Sequence, residues 1–309
     1  MTDVQFSGGS GGSAGRECPG GPASLVGAEL LSGPEFLKGH GTENDFVLIP
    51  DPDGALEVTG ARVRALCDRR RGLGADGVLR VVRAGALEDC PADVAPSAWF
   101  MDYRNADGSI AEMCGNGVRV FAHYLVEAGW VEAGEVSIGT RSGVRSVVTH
   151  PSGEVTVDMG AASRAGASSA ELGGTWLDGN VVDVGNPHLA CVLDTDLDAL
   201  DLRTAPAYDP EVFPNGVNIE FVRRAGPDRV RMRVYERGVG ETRSCGTGTV
   251  AAVVAALRAD GADTGSRTVD VPGGTVRVDV TDLTTRLTGP AVLTAQGRLG
   301  IDWWQRAGS

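Results

Sequence analysis

Lysine is almost missing from this chain. Of its 28 basic residues, all but Lys38 are arginine, so a cofactor held as a lysine Schiff base, pyridoxal phosphate above all, has one candidate anchor. The four histidines (His40, His123, His150, His188) form no H-x-H or H-E-x-x-H pattern, and the six cysteines (Cys18, Cys67, Cys90, Cys114, Cys191, Cys245) form no C-x-x-C pair. A zinc site therefore lacks a signature, and no metal is expected. Six cysteines are also too few for a disulfide scaffold in 309 residues, and a cytoplasmic setting would keep them reduced. No apolar run approaches the ~18 residues of a membrane span. The N-terminus lacks a basic segment followed by an apolar core, so no membrane partner is expected and the cytoplasm is the default location. A formal net charge of −13 with no offsetting basic stripe argues against nucleic acid.

What is present is an ordinary globular composition, 42% hydrophobic and 22% charged, at a length for which two domains are the default. Residues 1–34 are rich in Gly, Ser, Ala and Pro without a sustained period, and read as a disordered extension. From Phe36 the pattern changes. Phe46–Ile49 reads as a buried strand, Val58–Arg70 as an amphipathic helix ended by Gly72-Leu-Gly-Ala-Asp-Gly77, and Val78–Val82 as the next strand. A loop over Ala84–Ser97 precedes a strand at Trp99–Tyr103 and a turn at Asn105-Ala-Asp-Gly108. The segment Val118–Ala128 has a helical pattern closed by Gly129. Strands are expected at Val144–Val148, Val155–Asp158, Val181–Val184, Leu189–Leu193, Val217–Arg223 and Val230–Tyr235. A helix at Thr249–Arg258 follows, and strands close the chain.

One event occurs twice. Cys-Gly-x-Gly opens an apolar helix at Cys114 and again at Cys245, about one domain length apart. Chance recurrence in a chain with 45 glycines is the bland alternative, but the matched helix after each copy argues for two halves built alike. A single copy would read as a small buried thiol at a tight turn. A pair has a chemical meaning. Free N–H groups and the positive end of the helix dipole favour a thiolate and dock an anion, while the glycines let a ligand approach the backbone. To invert a stereocentre, a base removes the α-proton from one face and an acid returns a proton to the other. Two such thiols facing one α-amino acid could do both, and the helix-end N–H groups would stabilise charge spreading into its carboxylate.

From Phe36 onward the sequence resembles the diaminopimelate epimerases. The resemblance rests on Lys38-Gly-His-Gly-Thr-Glu-Asn-Asp-Phe46, Gly72-Leu-Gly-Ala-Asp-Gly77, Tyr103-Arg-Asn-Ala-Asp-Gly108, Met113-Cys-Gly-Asn-Gly117, Gly185-Asn-Pro-His188, Gly216-Val-Asn218 and Tyr235–Gly248, in the family's order. It implies an enzyme that needs no cofactor and interconverts LL- and meso-diaminopimelate for lysine and peptidoglycan synthesis, with Cys114 and Cys245 as acid/base thiols. It further implies that Gly115-Asn116 and Gly246-Thr247 hold the reacting carboxylate. Asn44, Asn105, Asn186, Asn218, Glu236 and Arg237 would contact the substrate's two amino-acid ends, and His188 would lie beside the thiol site. The implied fold is α+β, with two pseudo-symmetric domains, each a curved, mostly antiparallel sheet around a central helix. Residues 35–158 plus 291–309 would form the domain carrying Cys114, and 159–290 the domain carrying Cys245. A homodimer is expected on the same ground.

Gly77 stands where many members have Gln, so one contact to the substrate's distal end is expected to be missing or supplied otherwise. Gly72-x-Gly74-x-x-Gly77 matches a dinucleotide fingerprint as a string but follows a helix and precedes a strand, the reverse of what that site needs. Gly246-x-Gly248-x-x-Ala251 nearly matches it and does open a helix, but nine residues separate it from the preceding strand. Two readings compete with the first: another cofactor-independent racemase on the same scaffold, and a binding protein that kept the clamp and lost turnover. Loss of one cysteine would mark the latter, and both are present.

Overall fold

The structure, a computed structural model, describes residues 32–308. The extension expected over 1–34 lies outside the described residues up to residue 31. Its last two residues belong to the fold: Gly33 donates its N–H to the Leu299 carbonyl at 3.0 Å, and the Pro34 carbonyl accepts from Leu299 at 2.9 Å.

Eighteen strands and four α-helices make up the described chain. The first run is β1 (Glu35–Gly41), β2 (Asn44–Pro50), α1 (Gly60–Cys67), β3 (Gly77–Arg83), β4 (Trp99–Asn105), α2 (Gly115–Glu127), β5 (Glu135–Thr140), β6 (Gly143–Thr149) and β7 (Glu154–Gly160). The second is β8 (Ser163–Leu172), β9 (Thr175–Asp183), β10 (Pro187–Leu193), β11 (Ala207–Tyr208), β12 (Asn218–Gly226), β13 (Arg229–Glu236), β14 (Gly240–Thr242), α3 (Gly246–Ala259), β15 (Gly265–Val271), β16 (Gly274–Val280) and β17 (Thr285–Pro290). The chain ends with β18 (Val292–Arg298) and α4 (Ile301–Arg306).

The pairings repeat. One sheet runs β18-β1-β2-β3-β4-β5-β6-β7 and the other β8-β9-β10-β12-β13-β15-β16-β17. In each, the third strand is parallel to the fourth and the fifth to the sixth, while all other neighbours are antiparallel. β7 pairs antiparallel with β17 and joins the two. β18 therefore fills, in the first half, the place that β8 fills in the second.

Each half wraps a helix. α3 is buried at Gly246 and throughout Gly248–Leu257, as a helix apolar nearly all round requires, and α2 is buried from Gly115 to Ala122 with Asn116 and Arg119 included. Both stop at a left-handed glycine, Gly129 (φ 68°) and Gly261 (φ 75°), whose missing Cβ makes that conformation cheap. The strands around them bury alternate residues, as with Val155, Val157 and Met159 of β7.

Some expectations need correction. The first helix covers Gly60–Cys67, not Val58–Arg70: Thr59 caps its start, and the Asp68 carboxylate draws the Arg70 and Arg71 N–H groups into a turn. Ser163–Leu172, for which no element was expected, is a strand because β9 pairs along it. Glu135–Thr140 is also a strand that was not expected, although Val136 and Ile138 alternate with Glu135 and Ser137. The chain closes on a helix, Ile301–Arg306, which buries Trp304 against α1 and β2 residues. Within Ala84–Ser97, a 3-10 turn at Ala84–Ala86 and Val94 pack with Val82 and Phe100.

The halves meet tightly where the β15–β16 turn reaches the β1–β2 turn. A Cβ on Gly273 would lie 1.9 Å from the Thr42 carbonyl oxygen. Gly273→Ala is expected to lower stability by roughly 1–3 kcal/mol through this overlap, read as an earlier urea midpoint; an unmoved midpoint would contradict the contact.

Candidate active site

Both thiols sit at helix N-caps. Cys114 (φ −144°, ψ 116°) and Cys245 (φ −125°, ψ 120°) are extended, and each sulfur accepts a backbone N–H three residues on, from Gly117 and Gly248, at 3.4 Å in both cases. Oxygen-bearing side chains are the stabilising choice at this position and sulfur is a weak acceptor. Helix stability therefore does not explain two cysteines there.

The two helix starts abut. A Cβ built on Gly246 would lie 3.3 Å from the Gly115 Cα and 3.5 Å from the Asn116 nitrogen, so glycine is what permits the approach. Residues distant in the chain are thus brought to one place, with Cys114 and Cys245 each next to the touching glycines. Asn116 ties the halves together: its amide nitrogen lies 3.2 Å from Asn44 Oδ1, 3.2 Å from Ser244 Oγ and 3.3 Å from the Ser244 carbonyl. Thr42 and Ser244 share a hydroxyl bond of 2.7 Å across the same seam. Asn44 donates to Asp76 at 2.8 Å, and its Oδ1 is 3.7 Å from the Cys114 sulfur.

In the second half, His188 is fully buried between Glu220 Oε1 at 2.7 Å and Asn186 Oδ1 at 3.0 Å. Asn218 Oδ1 accepts the Arg237 N–H at 2.9 Å. Glu236 takes the Thr242 hydroxyl, and Thr247 Oγ1 lies 3.6 Å from the Cys245 sulfur. Two of the expected contact residues stand apart from the thiols. Asn105 closes its own turn through Ser109 at 3.0 Å, and Arg237 is exposed with its guanidinium on the Asn215 carbonyl at 2.9 Å.

The electrostatics refine the expected thiolate. Burial pushes the Cys114 thiol up to about 11, although the Gly117 and Asn116 N–H groups and Arg119 pull it down. Burial also holds Cys245 well above the ordinary range, with Glu236 and Glu220 adding to it and Thr247 and the Gly248 N–H opposing. Helix-end N–H groups act in the expected direction, and desolvation outweighs them. Burial likewise raises Glu236, and it raises Glu220 to about 7 against the pull of His188. Cys67 and Cys191, away from any helix start, are pushed to about 12 by burial. Lys38 is engaged by Asp45 at 2.5 Å and by the Gly74 carbonyl.

The diaminopimelate epimerase profile matches residues 36–165 and 180–294. The chain belongs to the diaminopimelate epimerase family. It is 58% identical over 284 residues to a diaminopimelate epimerase of Mycolicibacterium smegmatis, covering 87% of this chain and 98% of that one. Against the protein of that name from Mycobacterium tuberculosis it is 56% identical over 287 residues, covering 88% and 99%. In fold it is similar to a hydroxyproline epimerase from Agrobacterium vitis (TM-score 0.60, 16% identity, 87% and 93% covered). A phenazine biosynthesis protein of the PhzF family from Enterococcus faecalis is comparable (TM-score 0.59, 11% identity, 87% and 100% covered). The unmatched residues 166–179 hold most of β8 and the turn into β9, where Trp176 is exposed.

Measured against the family pattern, Gly77 has a structural reason. A Cβ there would lie 2.6 Å from both the Arg104 carbonyl and the Tyr103 ring, so Tyr103 occupies the space a longer side chain would need. The sequence reading missed Tyr103, as it missed Glu220, Arg119, Thr42 and Ser244. Glu220 and Arg119 carried a usable signal, a charge set between apolar neighbours in Ile219-Glu220-Phe221 and Val118-Arg119-Val120. Because the Asn116 amide spans the seam, Asn116→Ala is expected to lose about 1–3 kcal/mol. Urea unfolding would read it; a loss below a few tenths would show that the bridge contributes nothing.

Proposed function

We propose that this protein interconverts LL- and meso-diaminopimelate by proton transfer between Cys114 and Cys245 across one α-carbon. The observation that carries the proposal is the abutment of two cysteine-capped helix starts at Gly115 and Gly246. One cysteine acts as thiolate and removes the α-proton. The other, as thiol, returns a proton to the opposite face, and the roles reverse in the back reaction. The carbanion's charge spreads into the α-carboxylate, which the N–H groups of Gly115-Asn116 and Gly246-Thr247 would receive. A substrate ammonium brought into this buried site would favour the thiolate that burial disfavours.

Asn44, Asn186, Asn218 and Glu236 supply acceptors and donors for the reacting end, with His188 beside them. Arg237, with a free face toward solvent, would offer its fork to the distal carboxylate together with Asn105. Family membership supports a place in lysine and peptidoglycan precursor synthesis, a cytoplasmic setting and a homodimer. Among the described residues no helix is long and apolar enough to cross a membrane. The pairing of β18 with β1 supports a first domain of residues 35–158 plus 291–309 and a second of 159–290.

Two-base transfer predicts distinct single-mutant behaviour. Cys114→Ala and Cys245→Ala should each lower epimerisation by at least about 10²–10⁴-fold, while α-proton exchange in deuterated water survives from one stereoisomer in each. Full turnover in either variant would refute the mechanism. Exchange with histidine or proline but none with diaminopimelate would refute the substrate.

A further inference from the structure

The repeated strand order of the two halves makes the differences between matching positions informative. Third after each cysteine is a glycine, and a strand side chain packs on it. A Cβ on Gly117 would lie 3.3 Å from Leu79 Cδ2, and one on Gly248 would lie 2.6 Å from Glu220 Oε1. β3 and β12 hold the same place in their sheets, so Leu79 and Glu220 are counterparts. Fifth after each cysteine stands Arg119 in α2 and Val250 in α3. The first thiol therefore has a cation where the second has an aliphatic side chain, and the second has a carboxylate where the first has leucine.

Both charges are fully buried and incompletely matched. Arg119 bonds to Thr42 Oγ1 at 3.1 Å and the Pro290 carbonyl at 3.3 Å, makes no ion pair among the described residues, and leaves its buried Nη1 without a partner. Glu220 Oε2 is likewise buried and unpartnered, while Oε1 faces His188. A desolvated cation with no carboxylate favours an anion within its reach, and a desolvated carboxylate disfavours a second one.

We propose that the resting enzyme carries its thiolate on Cys114 and its proton on Cys245, with Arg119 and Glu220 as the positioning residues that fix this order. The other groups around the thiols do not reverse it. Glu236, from β13, acts against ionisation of both sulfurs. Tyr103, from β4, is held in its neutral form by burial and by the charges of Cys114, Glu236 and Asp76. His188, from β10, offsets part of Glu220's charge and acts also on Glu236. The stereoisomer whose α-proton faces Cys114 then meets its base ready, and the other must wait for the proton to change sulfur.

The inference rests on the two-thiol reading, but thiol alkylation reports titration whether or not turnover occurs, so each can fail alone. The full-length protein would be labelled with iodoacetamide without substrate at rising pH, with Cys114 and Cys245 peptides quantified by mass spectrometry. Midpoints are compared rather than rates, so unequal access does not bias the result. Cys114 is expected to have the lower midpoint. Arg119→Met should raise it by roughly 1–3 units without moving Cys245, and Arg119→Lys should restore most of the difference. Glu220→Gln should lower the Cys245 midpoint and leave Cys114 in place; if Arg119→Met does not fold, this variant decides. A Cys114 midpoint at or above that of Cys245 in the native protein, or a Cys245 midpoint that Glu220→Gln leaves in place, overturns the proposal.

Discussion

The contact on which the rest depends is glycine against glycine. Gly246 lies so close to its counterpart that a Cβ added to it would stand 3.3 Å from the Gly115 Cα and 3.5 Å from the nitrogen of Asn116. A glycine as the first residue of each helix lets the two starts approach end to end, which brings their N-terminal backbone groups close together. Each sheet wraps its helix so that this end faces the partner half, and the β7–β17 pairing holds the halves in register. Asn116, Thr42 and Ser244 then bond across the seam.

Burial gives the site its chemistry and also opposes it. A thiol deep in the protein is shielded from water, which strengthens every dipole aimed at it, yet the same desolvation raises both thiols well above neutrality. Charge must therefore come from neighbours. The distribution of those neighbours breaks the symmetry of the two halves: Arg119 against Val250, Glu220 against Leu79. A repeated scaffold supplies matched geometry, and a few unmatched side chains give its two ends different tasks.

Much of this was legible in the sequence. The two Cys-Gly-x-Gly helix starts and most of the strands before and after them follow from local signals, since capping and alternation are local physics. Ser163–Leu172 was not legible, because its strand state is imposed by the neighbouring β9 rather than by its own composition. Among the site residues, motif order pointed to Asn44 and Asn116, which touch each other and the Cys114 region. Glu220 escaped notice because its meaning lies in what packs on Gly248, a contact that no spacing rule encodes.

The return of β18 to the edge of β1 has a consequence for how the molecule is made. Every strand of the second sheet, β8 through β17, lies in one uninterrupted stretch of chain, whereas the first sheet is completed by β18, which comes after all of them. Domains commonly fold in order of synthesis, N-terminal first. Here the first sheet cannot be complete before the second: β18 follows β17 in the chain, so the earlier half stays one strand short until every strand of the later half has been made.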